Sequence, residues 1–134
     1  MIRAGLIFLA VTQGLAGLVQ LFLPRNFYAV QWVSLLPPYN EHLMRDVGAL
    51  TLAYVLVLVV AAVTMERRLV QVALGANLVF TLPHFLFHTT HLANYPTGAA
   101  IGLTIALAFS VLIPATLLVL SVAGKQTRTT RNAA

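Results

Sequence analysis

The sequence is dominated by four long apolar segments, which lie at about residues 2–23, 41–64, 69–91 and 98–123. Each has about 20 residues or more, which is enough for an α-helix to cross a hydrocarbon core of about 30 Å. None shows the alternation typical of a strand, and lipid requires each segment to satisfy its own backbone hydrogen bonds. The segments therefore predict an all-α polytopic membrane protein, folded over residues 1–134 as a single domain and a four-transmembrane-helix bundle.

Composition excludes the main soluble classes. Charged residues make up 8% of the chain and hydrophobic residues 60%, whereas about 25% of the residues in an ordinary soluble domain are charged. A small soluble domain buries only about two-thirds of its unfolded surface, so it could not hide this much apolar area from water. The absence of cysteine excludes disulfides, thiolate metal sites and iron–sulfur clusters. The basic residues lie at the ends of apolar segments and form no patch, so we expect no nucleic-acid partner.

The distribution of basic residues predicts the orientation of the chain. With four spans, the chain start, the 65–68 loop and the tail 124–134 lie on one side of the membrane, and the 24–40 and 92–97 connections lie on the other. The positive-inside rule then predicts both termini in the cytoplasm and insertion into the cell (inner) membrane. The aromatic-rich 24–40 connection is interpreted as a linker on the lipid headgroups, with a lid over a site as the alternative. The basic residues on the first side are Arg3, Arg67, Arg68, Lys125, Arg128 and Arg131, and those on the second are Arg25 and Arg45.

The second segment begins with a cluster of ionisable residues. His42 and Asp46 lie four residues apart and share a helix face, and Glu41 and Arg45 do the same. Ionisable residues within a membrane segment are functional candidates because they are costly to bury in lipid. We predict Asp46 to be the most sensitive position in the chain, since a carboxylate inside the hydrocarbon edge needs a partner.

The third segment carries a polar stripe, which in lipid must face the bundle interior or a water-filled cavity. Its three histidines fall within an arc of about 60° when each residue advances the helix by about 100°. Two more polar residues extend this face inward. The stripe consists of Asn77, Thr81, His84, His88 and His91.

The two clusters are predicted to meet near the outer face of the membrane. Asp46 lies about 7 Å inward from Glu41, and His88 and His84 lie about 5 and 10 Å inward from His91. Imidazoles four residues apart, completed by a carboxylate from another helix, suit Zn²⁺, Fe²⁺ or Cu²⁺. We therefore predict a metal site for redox or lipid-modifying chemistry. Haem is disfavoured because four short-looped helices leave little room for it. The predicted metal ligands are His42, Asp46, His84, His88 and His91, and the supporting polar residues are Glu41, Arg45, Asn77 and Thr81.

An interpretation without chemistry remains open. The same residues can form a hydrogen-bonded network between helices, in which Arg45 pairs with Glu41 or with Asp46. The chain would then be an accessory subunit or interaction protein of a membrane complex, or form a homo-oligomer. A small-residue face that begins with Gly98 and Gly102 suits close helix packing. The sequence has neither a phosphate-binding loop nor a nucleophile elbow, so whether the protein is an enzyme stays open.

Two blocks of sequence resemble a known group of membrane proteins. One runs from Pro38 to Leu50 (PYNEHLMRDVGAL), and the other is Pro83-His84 followed by His88 and His91. With the number and order of the helices, they resemble the small uncharacterised four-helix membrane proteins of the DoxX-like superfamily. That superfamily is similar to subunits of membrane thiosulfate–quinone oxidoreductases and to accessory redox proteins. The resemblance implies redox-linked work with a hydrophobic or quinone-like partner molecule in the lipid bilayer, and it transfers no catalytic residue.

Overall fold

The computed structural model describes residues 1–35 and 38–123. All regular structure in these residues is helical, and four of the helices are long and apolar enough to cross a membrane. The prediction of an all-α chain with four apolar helices is confirmed. The predicted cytoplasmic tail at 124–134 lies outside the described residues. The helices are α1 (Ile2–Phe22), α2 (Pro24–Tyr28), α3 (Gln31–Ser34), α4 (Glu41–Thr64), α5 (Arg67–Thr89) and α6 (Thr97–Ala123), and a 3₁₀ turn (Leu92–Asn94) precedes α6.

Side-chain caps fix where α4 and α5 begin. The Asn40 side chain accepts a hydrogen bond of 3.0 Å from the backbone N–H of Leu43. The Glu66 carboxylate accepts hydrogen bonds from the backbone N–H groups of Arg68 and Leu69, and α5 therefore begins at Arg67, earlier than predicted. Such caps satisfy amides that a helix leaves without partners in its first turn. Between the two helices Met65 takes a left-handed φ of 53°, which reverses the chain in a short turn.

The four long helices associate as two pairs, α1 with α4 and α5 with α6. The pairs meet mainly at the end of the bundle where α1 and α5 begin and where α4 and α6 end, called here the turn end. The opposite end, where α1 and α5 end, is called the histidine end. The core at the turn end consists of Leu6, Leu9, Ala10, Leu58, Ala61, Ala62, Val70, Ala73, Leu74 and Leu117.

The α1–α4 pair includes a direct contact between backbones. A Cβ atom built on Gly48 would lie 2.6 Å from the Leu21 backbone nitrogen and 2.9 Å from the Gly17 carbonyl oxygen. A Cβ on Gly17 would in turn lie 3.2 Å from the Gly48 carbonyl oxygen. Small residues allow membrane helices to approach this closely, and the contact orients α4 about its own axis.

The 24–40 connection folds onto the bundle at the histidine end in its described parts, residues 24–35 and 38–40. Its first helix, α2, packs against α1 and α4, and its second, α3, packs against α6. The Trp32 ring lies over Gly102, where a Cβ atom would be 3.1 Å from Trp32 Cζ2. The Tyr28 and Tyr39 rings contact each other at 5.2 Å, and the Arg25 guanidinium lies 5.6 Å from the Tyr39 ring centroid. The connection therefore bridges the two helix pairs at the end of the bundle opposite the core.

Candidate functional site

The polar stripe of α5 faces the interior of the protein at its first positions. Asn77 and Thr81 are only 2% and 5% exposed, and His84 and His88, nearer the histidine end, are half-buried. The Thr81 hydroxyl is satisfied locally because it donates to the Asn77 carbonyl oxygen at 3.0 Å. The polar character of the interior therefore increases along α5 towards the histidine end.

His84 and His88 form a pair on one face of α5. Their ring centroids lie 4.6 Å apart in an edge-to-face arrangement, and the His84 ring also stacks on Phe80 at 5.3 Å. In the described part of the chain His84 makes ring contacts and no hydrogen bond. A half-buried imidazole normally has a hydrogen-bond partner, and its neutral ring offers one donor and one acceptor. His84 can therefore bind a molecule from outside the chain through either nitrogen.

Tyr95 connects His88 to the 24–40 connection. The Tyr95 hydroxyl donates to the Trp32 carbonyl oxygen at 3.0 Å and lies 3.4 Å from His88 Nδ1. Burial raises the pKa of Tyr95, so its phenol is protonated at neutral pH. The phenol has one proton, and Trp32 accepts it. Tyr95 can contact both partners at once only if the Nδ1–H of His88 donates to its oxygen, which leaves Nε2 of a neutral His88 as a free acceptor.

His91 does not join this pair. It follows the end of α5, and its Nδ1–H donates to the Phe87 carbonyl oxygen at 2.7 Å. Its ring stacks on Phe87 at 4.2 Å, and Thr90 Oγ1 lies 3.0 Å from Nδ1. These local contacts orient the ring without help from another helix.

Two buried side-chain oxygens lack a hydrogen bond among the described residues. They are Oδ1 of Asn77 on α5 and Oε1 of Gln20 on α1. An unpaired buried polar group costs about 1–3 kcal/mol, so a water molecule or a ligand hydroxyl at these oxygens would be stabilising. Asn77 lies next to the contact of α5 with α4, where the Tyr54 hydroxyl donates to the Ala73 carbonyl oxygen at 2.7 Å.

The ionisable cluster of α4 is arranged differently from the prediction. His42 Nε2 lies 3.2 Å from Asp46 Oδ2, and their side chains are 88% and 61% exposed. Asp46 therefore faces out of the bundle, whereas the sequence predicted a buried carboxylate with a partner on another helix. Arg45 is directed towards α1: it donates to the Leu21 carbonyl oxygen and pairs with Glu41 at 2.9 Å.

The predicted metal ligands lie in separate places in the structure and do not converge on one site. Within residues 1–35 and 38–123, no three His, Asp or Glu side chains lie close enough to hold one metal ion. The predicted meeting of Asp46 with His84 and His88 is therefore not supported, because α4 turns Gly48 and not Asp46 towards its neighbour. On α5, His84 contacts His88, and Thr81 contacts Asn77 further along the same face. On α4, His42 pairs with Asp46 and Glu41 pairs with Arg45. His91 contacts Phe87.

Sequence reasoning missed two contributors to the site, Tyr95 and Trp32. Tyr95 lies in the 92–97 connection and Trp32 in the aromatic-rich 24–40 connection, and neither was among the predicted site residues. Proximity was the only signal for Tyr95, which follows His88 by seven residues, because α5 ends between them at Thr89. The contact with Trp32 joins residues 63 positions apart and has no local signal.

Comparison with protein-family models, with curated proteins and with solved structures finds no match to this chain. A function must therefore be inferred from the residues at the histidine end.

Proposed function

We propose that this chain is a protein of the cell (inner) membrane, with both termini in the cytoplasm, that binds the head of a quinone-class molecule at the histidine end. It would serve there as an accessory component of membrane redox metabolism. The observation that carries the proposal is the half-buried His84 imidazole, which has no hydrogen bond in the described residues and lies beside His88, whose Nε2 is free.

The chemistry of the pair suits a molecule that changes between carbonyl and hydroxyl forms. An oxidised quinone presents carbonyl acceptors, and the reduced form presents hydroxyl donors. A neutral imidazole provides both a donor and an acceptor, so His84 can bond either form, while Nε2 of His88 accepts from the reduced form. The isoprenoid-like tail of such a molecule would lie along exposed apolar side chains on the same face of α5, beginning with Phe80, which precedes His84 by four residues.

The 24–40 connection supports a role as a cover for this site. Its Trp32 carbonyl oxygen accepts from Tyr95, which in turn contacts His88. Its Trp32 ring packs on Gly102 of α6. A ligand bound at His88 would therefore change the surroundings of Trp32 through two contacts, from His88 to Tyr95 and from Tyr95 to Trp32. This coupling favours the interpretation of the connection as a lid over a site, and not as a linker that lies on the lipid headgroups.

Trp32 is the only tryptophan in the sequence, and it provides a direct assay. We expect decylubiquinone to quench its fluorescence saturably in detergent micelles. His84→Phe should raise the dissociation constant about fivefold, which corresponds to the loss of one hydrogen bond of about 1 kcal/mol. Phenylalanine keeps a ring that can stack on Phe80, so the change removes the ring nitrogens and little else. His88→Phe should have an effect of similar size.

His42→Phe is the matched control because it makes the same chemical change at an exposed position on α4. It should leave the titration unchanged. Quenching that rises linearly without saturation, and equally in all four proteins, would show only partition of the quinone into micelles. That result would rule out the proposed site.

Metal binding is a second candidate, favoured by the 4.6 Å separation of the His84 and His88 rings. Two imidazoles four residues apart suit Zn²⁺ or Cu²⁺, with the other ligands supplied by solvent or by a bound molecule. If this candidate is correct, Zn²⁺ should compete with decylubiquinone in wild type and should not bind the His84→Phe/His88→Phe double variant. Isothermal titration with Zn²⁺ alone checks it, and identical heats for the two proteins would eliminate metal binding at the pair.

A further inference from the structure

A groove of about 490 Å³ lies between α1 and α4 at the turn end, remote from the histidines. Its small residues are Ala10 and Ala62, which are 8% and 6% exposed. The larger residues around them stand further out and are about half exposed or more. Small side chains flanked by larger ones leave a channel on the surface of the pair. The apolar lining consists of Ile7, Ala10, Val11, Val59, Ala62 and Val63.

Arg3 is the one charged residue in the lining of this groove. It is exposed, and within residues 1–35 and 38–123 its guanidinium has neither a hydrogen bond nor an ion pair. It lies in the first turn of α1, where the apolar surface of the span ends and the headgroup region begins. A guanidinium presents a planar fork of donors that matches the oxygens of a phosphate.

We propose that the groove binds one anionic phospholipid, with an acyl chain along the alanines and the phosphate on Arg3. The groove is apolar along its length and cationic at the membrane edge. A phospholipid has the matching arrangement, with an apolar acyl chain and a charged phosphate at the membrane edge. A second copy of the chain fits less well, because a twofold contact through this groove would place two Arg3 side chains at the same level. The proposal is independent of the histidine end.

Native mass spectrometry of the full chain, incubated with phosphatidylglycerol in detergent, tests the proposal. We expect one retained lipid per chain and weaker retention of phosphatidylcholine. Arg3→Gln should lower the ratio of bound to free protein about fivefold, the size expected for one basic residue near anionic lipid. Val59→Phe should lower it as well, because the larger side chain fills the groove from its rim.

Each variant has a matched control. Arg68→Gln removes an exposed charge at the same end of the bundle without touching the groove. Val60→Phe makes the same change one residue further along α4, at a position that is 41% exposed compared with 44% for Val59. Both controls should retain phosphatidylglycerol as wild type does. If Val59→Phe lowers the melting temperature, Val63→Phe repeats the test from a rim position that is 73% exposed.

Three outcomes would overturn the proposal. Equal losses in Arg3→Gln and Arg68→Gln would show a general charge effect. Both lipids carry a phosphate, so equal retention of phosphatidylcholine and phosphatidylglycerol would show that the groove does not select an anionic lipid. A dimer that disappears in Val59→Phe would show that the groove is covered by a second copy of the chain.

Discussion

Gly48→Ala is expected to destabilise the protein by about 3 kcal/mol, the upper range for overpacking a filled interior. The added methyl group would meet the Leu21 nitrogen and the Gly17 oxygen, which are backbone atoms and cannot rotate away. The α1–α4 pair must therefore separate to accept it. Unfolding in detergent with increasing denaturant, followed by circular dichroism, measures the change.

Gly75→Ala is the control for this prediction. Gly75 also lies within a long helix, but a Cβ atom there would have nothing within 4 Å. Alanine has a higher helix propensity than glycine, so this variant should be neutral or more stable by up to about 1 kcal/mol. If the two variants were equally stable, the backbone contact between α1 and α4 would be wrong.

Arg45→Met should lower the free energy of unfolding by about 1.5 kcal/mol, the lower range for hydrogen bonds to charged groups because Arg45 is half exposed. Methionine keeps much of the apolar stem but leaves the Leu21 carbonyl oxygen near the end of α1 without its donor. Thermal unfolding in the same detergent provides the measurement.

Asp46→Asn provides the comparison, since Asp46 is adjacent in sequence and also belongs to an ion pair on α4. Its pair with His42 is exposed, and exposed pairs contribute little to stability. We expect a change several times smaller than that of Arg45→Met. A larger loss in Asp46→Asn would restore the sequence prediction of a buried carboxylate and contradict the orientation of α4 in the structure.

The four spans could be predicted because length and hydropathy alone determine whether a helix can cross lipid. The pairing of the helices could not, because it depends on which faces touch. On α4 the deciding residue is Gly48. Asp46 precedes it by two residues and so points about 200° away around the helix, whereas Arg45 precedes it by three and points to within about 60° of it. Had Gly48 been identified as the packing face, the outward direction of Asp46 would have followed.

The site shows the same division between local and distant information. The relation between His84 and His88 follows from their spacing, which any α-helix converts into a shared face. Their neighbours Tyr95 and Trp32 come from connections whose paths are set by tertiary packing, notably by the space that Gly102 leaves for an indole. The predicted inward orientation of Asp46 was wrong, because the depth of a residue in the membrane does not specify which way its side chain points.

Unequal helix lengths make this fold sensitive to bilayer thickness. The acidic and basic residues of α4 all precede Val47, so its uncharged part, residues 47–64, is about 27 Å long, whereas α6 has 27 residues and extends over about 40 Å. A thin bilayer matches α4 and requires α6 to tilt, while a thick one would draw the charged first turns of α4 towards the acyl chains. Hydrophobic mismatch should therefore make this protein more stable in thinner membranes. In thicker membranes the cost of mismatch would fall on the first turns of α4, which include Arg45 and its hydrogen bond to α1.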